Sequence, residues 1–322
     1  MKRVLITGAS GYLGGRFVDL MEKLPGVERV VGLDVSPPRR KAAAKFVFVR
    51  KDVREPMTAL LKAHRVDTVL HAAWILPPLH NRRFMESVNL DGTRNVFRSV
   101  SEAGVSRVVH CSSTTAYGFH PDNPPVLTEE SPLRGNAEFT YSKNKKEAEE
   151  LCARFRESHP EVRVLVLRPC FVCGPGFENP MSRHLQKKIV LLPRGSAPLQ
   201  YVHEDDLVEA VRLLLEQEKS GVYNIAADGA ISFDEMVRIL GNKPLEVSES
   251  VMAPLVAVAW LLRIRRLTEF PPQALPMLRY PWIASNQKLK RDTGFQFRFT
   301  TREAFEDYAH HVRTRSAGRV KR

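Results

Sequence analysis

Tyr141 and Lys145 stand four residues apart in "YSKNK", inside a segment (138–158) whose apolar spacing predicts a helix. Side chains four apart on a helix share a face. A phenol titrating near 10 is a poor base at neutral pH, but a neighbouring ammonium favours the phenolate and lowers that value. Such a pair can exchange a proton with a hydroxyl or a ketone. Helices place Tyr and Lys on one face by chance, so the pair needs support. The support is "HCSSTTAYG" (110–118), which closes the preceding apolar run and brings Ser112, Ser113 and Thr114 to the same predicted sheet edge. Ser113 would hydrogen-bond the oxygen whose proton Tyr141 exchanges.

A second constellation lies at the front of the chain. "TGASGYLGG" (7–15) follows the first apolar run and opens the first helical pattern, with Gly8, Gly11 and Gly14 at three-residue intervals. Glycines so placed allow a tight turn, close approach of backbone to a pyrophosphate, and close packing of helix on strand; the helix start then offers free N–H groups. The second strand ends in Asp34, 20 residues after Gly14. An acid there suits the ribose hydroxyls of NAD and repels the 2′-phosphate of NADP, although Arg39 and Arg40 follow it closely. NAD is the expected cofactor in preference to NADP.

The cysteines and histidines carry weaker signals. Cys170 and Cys173 form a C-x-x-C in "LRPCFVCGPG", but thioredoxin-like pairs sit at a helix start, whereas these follow a strand. His71, His110 and His203 fall within or beside predicted strands, and no His/Cys/Asp cluster has metal-ligand spacing, so no metal is expected.

The elements that must position these residues read as an α/β fold. Unbroken Val-, Leu- and Ile-rich runs at 3–7, 29–34, 45–50, 67–73, 107–113 and 162–168 have the character of strands buried on both faces of a parallel sheet. Helical patterns at 14–24, 84–104 and 138–158 alternate with them, which predicts a Rossmann-type doubly wound parallel sheet. The expected organisation is a cofactor domain, 1–168 with 200–227, and a smaller, mostly C-terminal substrate-capping region, 169–199 with 228–311. The basic segment 312–322 reads as a disordered tail.

Taken together, these motifs resemble the NAD-dependent epimerase/dehydratase family of extended short-chain dehydrogenase/reductases, from residue 3 to about 295. The resemblance implies an NAD-dependent enzyme with Ser113, Tyr141 and Lys145 as catalytic residues; Ser113 stands four residues before Tyr117, as the family's active-site Ser or Thr does. It places the cofactor against Gly8, Ser10, Gly11, Tyr12, Leu13, Gly14, Asp34, Asp52, Val53, His71, Ala72, Ala73, Asn89, Tyr141, Lys145, Pro169, Phe171 and Val172. Substrate would meet Trp74, Thr114, Cys170, Phe171 and Gln200. The long helices resemble those that pair in family homodimers, so a dimer is expected.

The substrate reading turns on departures from the family pattern. Nucleotide-sugar members resemble "LRYFNVYGP", with an Asn where this chain has Phe171; Gln200 falls where a polar or charged contact is usual. The branch with hydroxysteroid-dehydrogenase-like members is closer, which implies hydride transfer between nicotinamide and a hydroxyl or ketone of a small molecule; substrates of that branch vary and can be apolar. A nucleotide-sugar 4-epimerase is the alternative, and a non-catalytic NAD-binding module is a third reading that the Ser-Tyr-Lys set disfavours. Dehydratases resemble "TDEVYG" where this chain has "SSTTAYG", so dehydration is discounted. Cys170 and Cys173 then read as a specificity wall.

Composition bounds the rest. The chain has 322 residues, 43% hydrophobic and 26% charged, with net charge +13. It shows no nucleic-acid-binding signature, and its start runs straight into a strand, so cytoplasmic placement with free thiols is expected. The apolar run 251–264 is too short to span a bilayer, which takes about 20 residues. It reads first as a buried helix, with a greasy pocket lining or a membrane-surface contact as the alternatives.

Overall fold

The computed structural model describes residues 1–38, 44–76 and 78–320, with side chains described to residue 315. Its elements follow in chain order: β1 (Arg3–Thr7), α1 (Tyr12–Lys23), β2 (Arg29–Asp34), β3 (Phe46–Arg50), α2 (Thr58–Ala63), β4 (Thr68–His71), α3 (Arg82–Glu86), α4 (Gly92–Ala103), β5 (Arg107–Cys111), α5 (Thr140–Ser158) and β6 (Arg163–Pro169). There follow β7 (Phe171–Cys173), α6 (Pro180–Leu185), β8 (Ile189–Pro193), β9 (Tyr201–His203), α7 (Glu204–Glu216), β10 (Gly221–Ile225), α8 (Phe233–Ile239), β11 (Lys243–Val247), α9 (Glu249–Leu261), α10 (Pro276–Arg279), α11 (Gln287–Thr293) and α12 (Thr301–Val320).

The seven-stranded sheet has the order β3-β2-β1-β4-β5-β6-β10. Neighbours from β3 to β6 run parallel, with Thr7 beside His71 and His71 beside His110. Every residue of β4 and β5 is buried, which is why their sequences are unbroken apolar runs rather than alternating ones. The order reverses between β1 and β4, and in such sheets ligands bind beyond the strand ends at that reversal. This is the doubly wound architecture that the strand–helix rhythm predicts.

The chain divides into two compact units: 1–113, 144–168 and 211–223, and then 114–143, 169–210 and 224–322. The core of the first gathers Leu5, Val31, Val69, Val108 and Val164 from the strands with Phe97 and Phe155 from the helices. The core of the second is aromatic, with Tyr117, Phe119, Phe139, Tyr201, Phe305 and Tyr308 buried in it. It also holds two short parallel pairs, β7 with β9 and β8 with β11. Residues 114–143 and 200–210, grouped by sequence with the cofactor domain, fall in the second unit because Tyr117, Phe119, Phe139 and Tyr201 belong to its core.

Two elements differ from the sequence reading. The expected helix over 84–104 is interrupted: a π-helical turn, Ser87–Asp91, separates α3 from α4. The basic end, read as disordered, is helical as far as Val320 within α12, whereas residues 321 and 322 lie outside the described residues. No Pro occurs after Thr301 to stop that helix.

Candidate active site

The loop between β1 and α1 turns at Gly8, whose φ is +71°, a conformation that glycine adopts without strain. A Cβ on Gly8 would come within 2.7 Å of the Ala73 backbone, and one on Gly14 within 1.9 Å of the Gly8 carbonyl oxygen. These glycines let α1 pack tightly on β1 and on the segment after β4. Gly11 is different: a Cβ there would touch only the Gly8 carbonyl oxygen, at 3.2 Å, and otherwise stand in open space at the loop mouth. Gly11 is also the N-cap of α1 and offers no side-chain cap, and the first turn holds no acid. The uncapped start of α1 and the open approach over Gly11 fit a pyrophosphate. Ser10, Tyr12 and Leu13 line the same turn.

Asp34 ends β2 beside this loop. Its carboxylate accepts hydrogen bonds from the Ser10 amide at 3.1 Å and the Ser36 amide at 3.2 Å, which fixes an acid next to the glycine turn. Arg39 and Arg40 lie outside the described residues. Asp52 is committed elsewhere: Arg54 donates to it from Nε at 3.0 Å and from a terminal nitrogen at 2.7 Å, and this bond holds its carboxyl below the usual range. Val53 is a core residue packed under Gly92.

Behind the loop runs a buried relay. The Thr93 hydroxyl donates to the Asn89 carbonyl at 2.6 Å, so it accepts from His71 Nε2 at 2.9 Å. His71 Nδ1 is then the acceptor for the Thr7 hydroxyl at 2.8 Å, and Thr7 in turn accepts from the Ala73 amide at 3.2 Å. Burial pulls His71 down to about 3, with Lys145 contributing, so the ring is neutral and the relay is complete without a charge. Asn89, turned inward by the π-helical turn, accepts from the Ile75 amide at 2.8 Å. The side chains of His71 and Asn89 tie down the segment 72–75. Ala72, Ala73 and Trp74 on that segment remain half-buried.

Lys145 is 3% exposed. Its ammonium donates to the Cys111 carbonyl at 2.7 Å, at the end of β5, and sits 3.6 Å from the centroid of the Trp74 ring. Burial lowers it to about 7, against the pull of the Cys111 and Glu149 groups. Glu149, one turn further along α5, accepts from Arg168 Nε at 2.9 Å and from its terminal nitrogen at 2.7 Å, and from the Ser112 hydroxyl at 2.5 Å. This buried pair ties α5 to the ends of β5 and β6. The sequence reading missed it, although Glu149 lies four residues beyond Lys145 on the same helix face. Near Lys145, both ring nitrogens of His110 and the amide of Asn144 are buried without a hydrogen-bond partner among the described residues. Buried polar atoms of this kind call for a bound group or ordered water.

In the second unit, Tyr141 lies in the first turn of α5 and packs against Phe139 at 6.2 Å between ring centroids. Phe171 stacks on Tyr201 at 5.3 Å and meets Trp282 edge-on at 5.4 Å, while Trp282 meets Phe119 at 5.0 Å. Gln200, expected to contact substrate, has its amide fully engaged: it donates to the carbonyls of Ala227 at 2.9 Å and Ala284 at 3.1 Å, and accepts from the Ala284 amide at 2.9 Å. Thr114 is fully buried, its hydroxyl directed to the Pro169 carbonyl at 3.4 Å. Cys170 and Cys173 are buried free thiols, and burial pushes both upward, the opposite of an activated thiol. Pro169 is buried and Val172 half-buried. Among the described residues no group of three or more His, Cys, Asp or Glu side chains could hold a metal ion.

The sheet order and the glycine turn together fit a dinucleotide-binding α/β fold. Residues 4–226 match the NAD dependent epimerase/dehydratase family. The chain belongs to that family, an enzyme of the extended short-chain dehydrogenase type that works with NAD. It is 30% identical over 315 residues to the uncharacterized protein Rv0501 of Mycobacterium tuberculosis, covering 95% of this chain and 83% of that one. It is 28% identical over 219 residues to short-chain dehydrogenase/reductase family 42E member 1 of Danio rerio, covering 65% of this chain and 55% of that one. Its fold is similar to that of the dTDP-glucose 4,6-dehydratase of Bacillus anthracis in complex with NAD, with TM-score 0.77, 17% identity and 98% of each chain covered. The UDP-glucose 4-epimerase of Thermotoga maritima, with UDP-glucose, gives TM-score 0.76 at 19% identity over 98% of this chain and 99% of that one.

Proposed function

We propose that this enzyme transfers hydride between NAD and a hydroxyl or ketone carbon of a small, largely apolar molecule, with Ser113, Tyr141 and Lys145 as its catalytic residues. The observation that carries this reading is the buried Lys145 ammonium, held on the Cys111 carbonyl at 2.7 Å one helical turn from Tyr141. Tyr141 as phenolate takes the proton of the substrate hydroxyl, and as phenol returns it in the reverse direction. The charge on Lys145 favours the phenolate. Ser113 donates to the substrate oxygen and holds it against Tyr141. NAD, when bound, supplies the hydride acceptor. The glycine turn, open over Gly11, would receive its pyrophosphate, and Asp34 its ribose hydroxyls.

An apolar substrate is favoured by the aromatic surroundings of Phe171 and by the engaged amide of Gln200, which leaves fewer polar groups for a sugar. The runner-up is a nucleotide-sugar 4-epimerase, whose solved relatives share the fold. Incubating the enzyme with NAD and panels of sterols, simple alcohols and sugar nucleotides separates the two. Net NADH formation with an apolar alcohol is expected; epimerisation of a sugar nucleotide without net NADH would overturn the reading. We also propose a homodimer, which sedimentation showing only a 36.5 kDa species would refute.

A further inference from the structure

The helix α9 and the turn after it present an apolar surface that no element of the second unit covers. Its sequence, "ESVMAPLVAVAWL", has no polar face after Ser250, yet only Met252 and Ala259 are buried. One side of α9 faces an apolar groove of about 710 Å³, its open mouth included, lined by Met252, Leu255, Val256 and Ala259 with Phe233 and Phe270. Leu255, at the groove's rim, is 41% exposed, and beyond it Val251 is 56%, Val258 55% and Leu262 63% exposed, positions spaced to form one stripe along the helix. Leu261, at 76%, extends the same surface. The sequence expectation of a buried helix is therefore corrected: the apolar run has an inner face against the protein and an outer face against solvent.

A helix that is apolar all round belongs in a core or in lipid, and this one is only half in a core. Its charges name the partner. Arg263, Arg265 and Arg266 follow the stripe at once and are exposed, and residues 250–268 contain no acidic residue. No helix among the described residues is long and apolar enough to cross a membrane. We propose that α9 lies in the interface of an anionic membrane, the stripe Val251–Leu255–Val258–Leu262 among the acyl chains and the three arginines on acidic headgroups. The usual interfacial helix needs a charged face toward water; here the protein's own groove occupies that side.

The test is co-sedimentation of the full chain with vesicles of phosphatidylcholine alone and of phosphatidylcholine mixed with phosphatidylglycerol, at low and high salt. Binding to the anionic vesicles, weakened by salt, is expected. L255Q/V258Q/L262Q should lose it, and R263Q/R265Q/R266Q should weaken it by about fivefold per arginine. The arginine variant changes only exposed side chains, so its result stands even where the apolar variant folds poorly. Three outcomes would overturn the proposal: no binding to anionic vesicles, binding that neither variant alters, or indifference to vesicles together with a dimer that L255Q/V258Q/L262Q dissociates, which would make this face a contact between two copies.

Discussion

Lys145 makes the cofactor-free enzyme gain stability as the solution is made alkaline, and Lys145→Met should remove that gain. A lysine in the unfolded chain titrates near 10.5, whereas burial holds Lys145 at about 7 in the fold. Between these values the unfolded state binds a proton that the folded state does not, so stability rises with pH. The penalty of burying the ammonium is fully present below pH 7 and is relieved as pH rises toward 10.5. Each unit corresponds to about 1.4 kcal/mol. Because the folded group is half-titrated at pH 7, the gain from pH 7 to pH 9 comes to about 2 kcal/mol. Other groups titrate in this window too, but they do so equally in both proteins, and the difference between wild type and K145M isolates the lysine. Methionine keeps the length of the side chain and its contact with the Trp74 ring while removing the charge and the bond to the Cys111 carbonyl. Urea unfolding of both proteins without NAD, at pH 7, 8 and 9, reads the effect. Parallel stability profiles for wild type and K145M would refute the assignment of a buried, depressed ammonium.

Tyr141→Phe should lower kcat by about 10²–10⁴-fold, the usual contribution of a positioned acid or base, with NAD affinity retained in a fluorescence titration; survival of activity would remove Tyr141 from the chemistry. Glu149→Gln leaves Arg168 buried without its counter-charge and should cost about 3–5 kcal/mol in urea unfolding. Gln200→Leu removes three hydrogen bonds within the second unit and should cost about 1–3 kcal/mol of stability while leaving KM unchanged; a raised KM at full stability would restore Gln200 to the substrate site. Gly14→Ala puts a Cβ 1.9 Å from the Gly8 carbonyl oxygen. It should weaken NAD binding in calorimetry by about tenfold or more, the equivalent of about 1.4 kcal/mol.

Much of the site was legible because its signals are local. Three glycines at three-residue spacing, an acid at the end of the second strand, and Tyr141 and Lys145 one turn apart all depend on a few neighbouring residues and the period of one element. The unbroken apolar runs marked the strands for the same reason: full burial on both faces leaves no alternation. What stayed hidden depends on partners far along the chain. The partners of His71 and Asn89 could not be read locally: Thr7 lies 64 residues from His71, and Ile75 lies 14 residues from Asn89. The same holds for Gln200, whose amide donates to Ala284, 84 residues on.

The apolar run at 251–264 shows the same division. The sequence by itself determined that α9 would be a short helix, too apolar for water and too short to span a bilayer. Only the tertiary structure decided which of its faces the protein covers, because burial belongs to the surface another element supplies and not to the helix that needs it. Hydrophobic patterning states a demand for burial; the packing of distant segments decides whether the chain itself meets it or leaves a face for something else.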